Sequence, residues 1–326
     1  MAAHYFSIHF LKISTNWRRI MKDIENLERL LTPMKNSKKF KKYLNWAMVF
    51  LLVFSTISNA LHIAFNVVMT RYCSQQMTSE TYLHTYFKTY FKNQFDDLHN
   101  SIAVGFLFQL LELQINFITY YVDFFIAAHA LYLSKYFQIF NRAVRQRQIK
   151  GRGNKMQWAN LQMQYTRLCR LVATVDDFLN PLIFNCLLVN LLQNCNIIYT
   201  ILRQPVNKDE IKNNSTECIF IYKDGILGYI SKYYALFFSI TKSCCTLASL
   251  AWLHKISREP LSALYEVPPS GYNKEMQRFM DQVYHSKIGL SGLNCFCITQ
   301  GTILTFVSTI ITYELIVLQL SNIAKY

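Results

Sequence analysis

The sequence predicts an all-α protein, a polytopic bundle of membrane helices, and three observations lead there. Of 326 residues, 52% are hydrophobic and 16% charged, where soluble domains carry about 25% charged residues. Five stretches, 43–70, 101–133, 172–202, 226–253 and 288–324, reach or exceed the roughly 20 apolar residues that a bilayer span requires. These runs are apolar all round, without the polar face of an amphipathic soluble helix. They leave little room for a separate soluble domain.

The segment before the first span, 1–42, is basic: Arg18, Arg19, Lys22, Arg29, Lys38, Lys39, Lys41 and Lys42 lie in it. Its start, MAAHYFSIHFLKIS, is too short and too mixed to read as the apolar region of a signal peptide. Positive charge returns between the second and third spans (Arg142, Arg145, Arg147, Lys150, Arg152) and between the fourth and fifth (Lys255, Arg258, Lys274, Arg278, Lys287). The other two gaps are poor in Lys and Arg. This alternation follows the positive-inside rule and accounts for the net charge of +15 without nucleic acid. It places the N-terminus in the cytosol and the C-terminus outside.

The gap 203–225 supports that topology. Asn213 and Asn214 each open a glycosylation sequon there, accessible to modification only on the lumenal side. Of nine cysteines, Cys73 and Cys218 alone fall in outer loops, where oxidation is available. Either they form a disulfide or they remain two free thiols. Mass spectrometry of non-reduced peptides separates the two, and the bridge is excluded if both are alkylated. The other cysteines sit in or beside spans as small packing residues.

The polar groups inside the spans carry the functional reading. In the second span Glu112, Asn116, Tyr120 and Asp123 recur at four, four and three residues, one face of a helix, with Tyr121 adjacent. Carboxylates, amides and aromatic faces together suit a polyhydroxylated ligand. The competing assignment is to hydrogen bonds between helices. In the third span Asp176, Asn180, Asn190 and Asn194 share a face beside Pro181, an expected kink. Lys242 in the fourth span lies at the depth of Asp123 in the second, so an intramembrane ion pair is expected, since an unpaired charge there costs several kcal/mol. The last run is too long for one span, about 50 Å as a helix against a core of roughly 30 Å. Gly292 and Gly301 are its expected breaks.

No enzyme signature is present. The eight His are scattered, no C-x-x-C pair occurs, and no P-loop, dinucleotide fingerprint or nucleophile elbow is found. No cofactor, metal or catalytic residue is expected. A transporter would show internal repeats, and none is seen. A G-protein-coupled receptor would need an outside N-terminus.

The last span contains TYELIVLQL, Thr312 to Leu320, which resembles the C-terminal signature of insect gustatory receptors: a Thr-Tyr pair, five mostly apolar residues, then Gln and usually Phe. ISREPLSALYEVPPSGYNKEMQRFMDQVYHSKIGLSG (256–292) is similar to the cytosolic loop and start of the last helix in the sugar-receptor branch. NWRRIMKDIENLERL (16–30) resembles its early cytosolic linker.

The resemblance implies a taste receptor of the plasma membrane of gustatory neurons, a tetrameric ligand-gated cation channel with seven helices per subunit and a cytosolic N-terminus. Its expected partners are a sugar, permeating cations, other gustatory receptors in a homo- or heterotetramer, and the bilayer. In the family's arrangement the five runs are the third to seventh helices. The first is absent and at most a remnant of the second survives in 1–14, so the chain is about a hundred residues shorter than expected. Residues 1–42 then form a cytosolic linker, 43–253 the ligand-binding helices, 254–287 a cytosolic loop and 288–324 the pore-lining helix. The pore set is Thr312, Tyr313, Glu314, Ile316, Gln319 and Leu320. Helical spacing puts Ile316, Gln319 and Leu320 on one face, where Ile316 and Leu320 would close the pore by dewetting and Gln319 would meet cations. The alternative for Gln319 and Glu314 is hydrogen bonding to a neighbouring helix.

Overall fold

Five helical stretches long and apolar enough to cross a membrane dominate the computed structural model: Lys38–Val68, Ile102–Gln148, Met156–Ile201, Ile226–Tyr265 and Gln300–Val317. They correspond to the five runs expected from the sequence. The structure describes residues 37–73, 83–87, 91, 102–149, 155–202, 226–267 and 272–323, with isolated positions between 14 and 29. The elements are α1 (Ser37–Cys73), α2 (Ile102–Ile149), α3 (Lys155–Leu202), α4 (Ile226–Arg258), α5 (Pro260–Tyr265), α6 (Lys274–His285), β1 (Ser291–Gly292), β2 (Phe296–Cys297) and α7 (Gln300–Ile323). At 48 residues each, α2 and α3 are about 72 Å long, more than twice a hydrocarbon core. Part of each therefore lies outside the bilayer.

The chain divides into two compact units. The first takes in Met1–Trp46, Val122–Val189 and Lys242–Thr309. Its core is built on helical periodicity: Val122, Ile126, Ala130, Leu133, Phe137, Phe140 and Val144 of α2, with Leu161, Tyr165, Leu168, Val172, Val175 and Leu179 of α3, are buried at three- and four-residue steps. The short helix α6 is amphipathic and buries Met276, Phe279 and Val283, and the Asn273 side chain caps it by accepting the Met276 N–H. Tyr165 joins these layers. Its ring packs edge-on against Phe137 and Phe279, and its hydroxyl sits 2.9 Å from Ser286 Oγ. Asn141 donates to Glu259 Oε2 and to the Ile256 carbonyl, both at 2.9 Å, while Arg145 pairs with Glu259.

The last apolar run differs from its expected form. Residues 286–299 are not helical: they contain the two-residue hairpin β1–β2, paired Ser291 with Cys297 and Gly292 with Phe296. The break comes near Gly292, where the neighbouring Leu293 and Asn294 take φ of 50° and 57°. Gly301 is no break and lies in the first turn of α7. The hairpin is held by α3. Asp176 accepts from the Ser291 N–H and Oγ, both at 2.7 Å, and the Asn180 carbonyl accepts from Leu293 N at 3.2 Å. Two polar residues that look like part of a membrane stripe in the sequence thus serve as an anchor for extended backbone, which has hydrogen-bonding groups to satisfy. Helix α3 itself runs through Pro181.

The second unit takes in Ala47–Tyr121, Asn190–Thr241 and Ile310–Tyr326. Tyr234 of α4 donates to the Phe54 carbonyl of α1 at 3.0 Å, and the rings of these two residues stack. Much of its surface is apolar: Phe50, Leu110, Leu192, Phe237 and Leu315 are all more than half exposed. Such surface suits lipid or a neighbouring subunit rather than water. A helical turn at 83–87 lies on the start of α2, where Gly105 makes room for it. A Cβ on Gly105 would stand 2.3 Å from the Phe87 ring. Since Phe87 is 1% exposed, the ring has nowhere to go. Gly105→Ala is expected to destabilise this packing by about 1–3 kcal/mol, read as a lower melting temperature of the purified protein.

Candidate functional site

The polar face of α2 is built into the second unit. Asn116 donates to Asn59 Oδ1 of α1 at 3.2 Å. Gln109, two turns before, accepts from the Tyr86 hydroxyl at 3.1 Å, and its amide nitrogen stands 3.5 Å from Glu112 Oε2. His62 of α1 lies within electrostatic reach of Glu112. Glu112 and Asn116 are half-buried, and Tyr121 remains 37% exposed. Carboxylate, amides, imidazole and phenol therefore gather along two helices and one turn. Helical spacing links Gln109, Glu112 and Asn116 along one side of α2, whereas Asn59 and Tyr86 join only through contacts distant in sequence.

Two members of the expected ligand set are differently employed. Tyr120 is buried and packs edge-on against Phe238 with ring centroids 5.2 Å apart. Asp123 belongs to the first unit and is 1% exposed. Its Oδ2 is 2.8 Å from Lys242 Nζ, and its Oδ1 accepts from Cys186 Sγ at 3.0 Å and Thr246 Oγ1 at 3.3 Å. A carboxylate so enclosed is a structural tie between α2, α3 and α4 and is withdrawn from ligand contact.

Helix α7 separates the expected pore residues into two sets. Thr312, Tyr313, Ile316 and Gln319 are exposed, at spacings that place them on one helical face. Glu314 stands about 160° away from Ile316 around the helix at 100° per residue and is 7% exposed. Neither of its carboxylate oxygens has a hydrogen-bond partner among the described residues. Glu314 thus turns away from the face that carries Thr312, Ile316 and Gln319. The Leu320 side chain, Cys73 Sγ, Cys218, Asn213 and Asn214 lie outside what is described.

Cys297 Sγ is 4.0 Å from His254 Nδ1, a separation that invites a catalytic reading. Burial pushes this thiol up from its ordinary range and the nearby Asp176 carboxylate adds to the shift, the opposite of an activated thiolate. His254 Nδ1 is also 2.8 Å from the Ile288 carbonyl. Among the described residues, no group of three or more His, Cys, Asp or Glu side chains gathers to hold a metal ion.

The sequence profile of the trehalose receptor family matches residues 3–326. Among curated relatives from Drosophila melanogaster, the gustatory receptor for sugar taste 61a is 29% identical over 68% of this chain and 45% of its own length. The gustatory receptor 5a for trehalose is 25% identical over 61% of this chain and 40% of its own length. The chain therefore spans under half the length of these relatives. Its fold is that of the insect olfactory receptor OR5 from Machilis hrabei, solved alone and with eugenol. The eugenol complex aligns with a TM-score of 0.56 at 11% identity, over 98% of this chain and 78% of that one. The structure without eugenol aligns with a TM-score of 0.58.

Proposed function

The chain belongs to the trehalose receptor family, within the gustatory receptors, and from this premise we propose that it is a subunit of a sugar-gated cation channel. The observation that carries the reading is the face of α7. Thr312, Ile316 and Gln319 point away from the rest of their own unit, although hydroxyl and amide groups facing lipid would be costly. Four such faces around an axis would enclose a pore in which Ile316 and Leu320 form the dewetting constriction and Gln319 supplies a ring of amides. Glu314, turned inward, takes no part in it.

The ligand site on this reading is the polar cluster of the second unit, with Glu112 and Asn116 as its centre and Asn59, Gln109 and Tyr86 around them; Tyr121, nine residues after Glu112, falls about 180° around α2 from it and leaves the set. A carboxylate and amides meet sugar hydroxyls, and the phenol ring meets a C–H face. The sugar names of the Drosophila relatives support this ligand class. Helices in 43–253 carry recognition, 254–287 is cytosolic, and α7 forms the pore. With the N-terminus in the cytosol and the C-terminus outside, Cys73 and Cys218 share the oxidising side as a disulfide, and Asn213 and Asn214 are glycan acceptors. The receptor sits in the plasma membrane of taste neurons as a homo- or heterotetramer.

The test is a sugar panel that includes trehalose, applied to cells expressing the chain alone and with related gustatory receptors. Whole-cell recording is expected to show an inward cation current with at least one sugar. Silence to every sugar together with a response to bitter compounds would place the chain outside sugar sensing.

A further inference from the structure

The first turns of α1 pose a problem that sugar gating does not touch. Lys38, Lys39, Lys41 and Lys42 occupy four of five successive positions and all four are exposed. At 100° per residue they fall within an arc of about 160°, so their charges face one side of the helix. The 37 residues of α1 contain no Asp or Glu, and none of the ion pairs found among the described residues involves these lysines. Mutual repulsion on one face is unfavourable unless something outside the helix supplies negative charge.

Tyr43 and Trp46 follow directly and are 61% and 65% exposed. Amphipathic aromatic rings of this kind settle at the level of lipid headgroups. The order along the chain is thus ammonium groups, interfacial rings, then the apolar run that begins at Ala47. A helix of this length, about 55 Å, exceeds the hydrocarbon core by several turns, and the lysines occupy those surplus turns.

We propose that Lys38, Lys39, Lys41 and Lys42, with Tyr43 and Trp46, form a binding site for an anionic phospholipid headgroup of the leaflet that this end of α1 enters. The lysines would contact the phosphate and the rings would seat at the glycerol level. A polybasic cluster immediately beside a membrane helix has this selectivity by charge, each lysine multiplying affinity for an anionic surface by about fivefold. The occupant is a lipid rather than a soluble phosphate because the rings bring an apolar contact that a free anion does not use.

The experiment uses the purified chain in detergent micelles, with native mass spectrometry to count retained lipids. The probes are phosphatidylserine, phosphatidylinositol 4,5-bisphosphate and phosphatidylcholine. The wild-type chain is expected to retain both anionic lipids in preference to phosphatidylcholine. Substituting all four lysines by Gln is expected to lower anionic-lipid binding at least tenfold, while substitution by Arg preserves it. Undiminished binding by the Gln variant, or equal retention of phosphatidylcholine by wild type, overturns the proposal. So does displacement of the lipid by an acidic peptide of equal charge at the same concentration, since that assigns the surface to a protein partner. Inositol hexakisphosphate that binds as tightly as the lipids assigns it to a soluble anion and overturns the lipid as occupant. Should the Gln variant fail to fold, salt decides on the wild-type chain: binding that persists unweakened as the Debye length falls from about 10 Å to about 3 Å is not electrostatic and sinks the site.

Discussion

Replacing Lys242 with Met is expected to destabilise the first unit by about 3–5 kcal/mol, the cost of leaving a buried charge without its partner. Lys242 and Asp123 are 5% and 1% exposed and stand 2.8 Å apart. Thr246 and Cys186 also donate to the Asp123 carboxylate, but neither carries a charge to offset it. Their two hydrogen bonds soften the loss and do not remove it. The double variant Asp123→Asn with Lys242→Met removes both charges and is expected to recover most of the stability, because a buried pair contributes little over well-packed neutral residues. Melting of the purified chains in one detergent gives all four corners of the cycle. A single Lys242→Met variant as stable as wild type would mean that solvent reaches the pair. A double variant as unstable as the single would assign the loss to packing of the long lysine stem.

How much of this architecture is legible in the sequence depends on the distance over which each feature is encoded. The spans are legible because bilayer thickness sets a minimum run of apolar residues, and each run is continuous. Asp123 and Lys242 are conspicuous for the same reason: a charge inside a span is expensive enough to require a partner, and depth from the nearest basic boundary says where to look. The β1–β2 hairpin is not legible. Its sequence, SGLNCFC, is as apolar as the helix that follows, and its anchor, Asp176, lies more than a hundred residues earlier. The face of α7 that carries Ile316 and Gln319 follows from helical spacing alone. The burial of Glu314 does not, since spacing gives an angle and only packing gives a direction. Tyr86 is not legible because the turn that carries it must fold onto α2 before it meets Gln109, which itself lies one helical turn before Glu112.

The permeation and recognition roles should come apart in two single variants. Gln319 is exposed on α7 and Glu112 is half-buried on α2, within one unit but on separate helices. Gln319→Ala is expected to change ion selectivity or conductance, with little effect on surface expression or on the sugar concentration that gives half-maximal current, because in the proposed pore the amide would meet ions and not ligand. Glu112→Ala is expected to weaken apparent sugar affinity by about ten- to a hundredfold, corresponding to loss of a charged hydrogen bond worth roughly 1.5–3 kcal/mol. Its open-channel conductance should stay at the wild-type value. Glu112→Gln keeps the shape and one acceptor, so a smaller loss than in Glu112→Ala would assign part of the effect to hydrogen bonding itself. Gln109 and Asn59 give the control from the surrounding cluster: if Glu112 acts by touching ligand, Gln109→Leu should shift affinity in the same direction and again spare conductance. Reversal potential and dose–response curves from the same cells read both properties together. A Gln319→Ala channel altered only in sugar sensitivity, or a Glu112→Ala channel altered only in permeation, would exchange the two assignments and remove the α7 face as the pore.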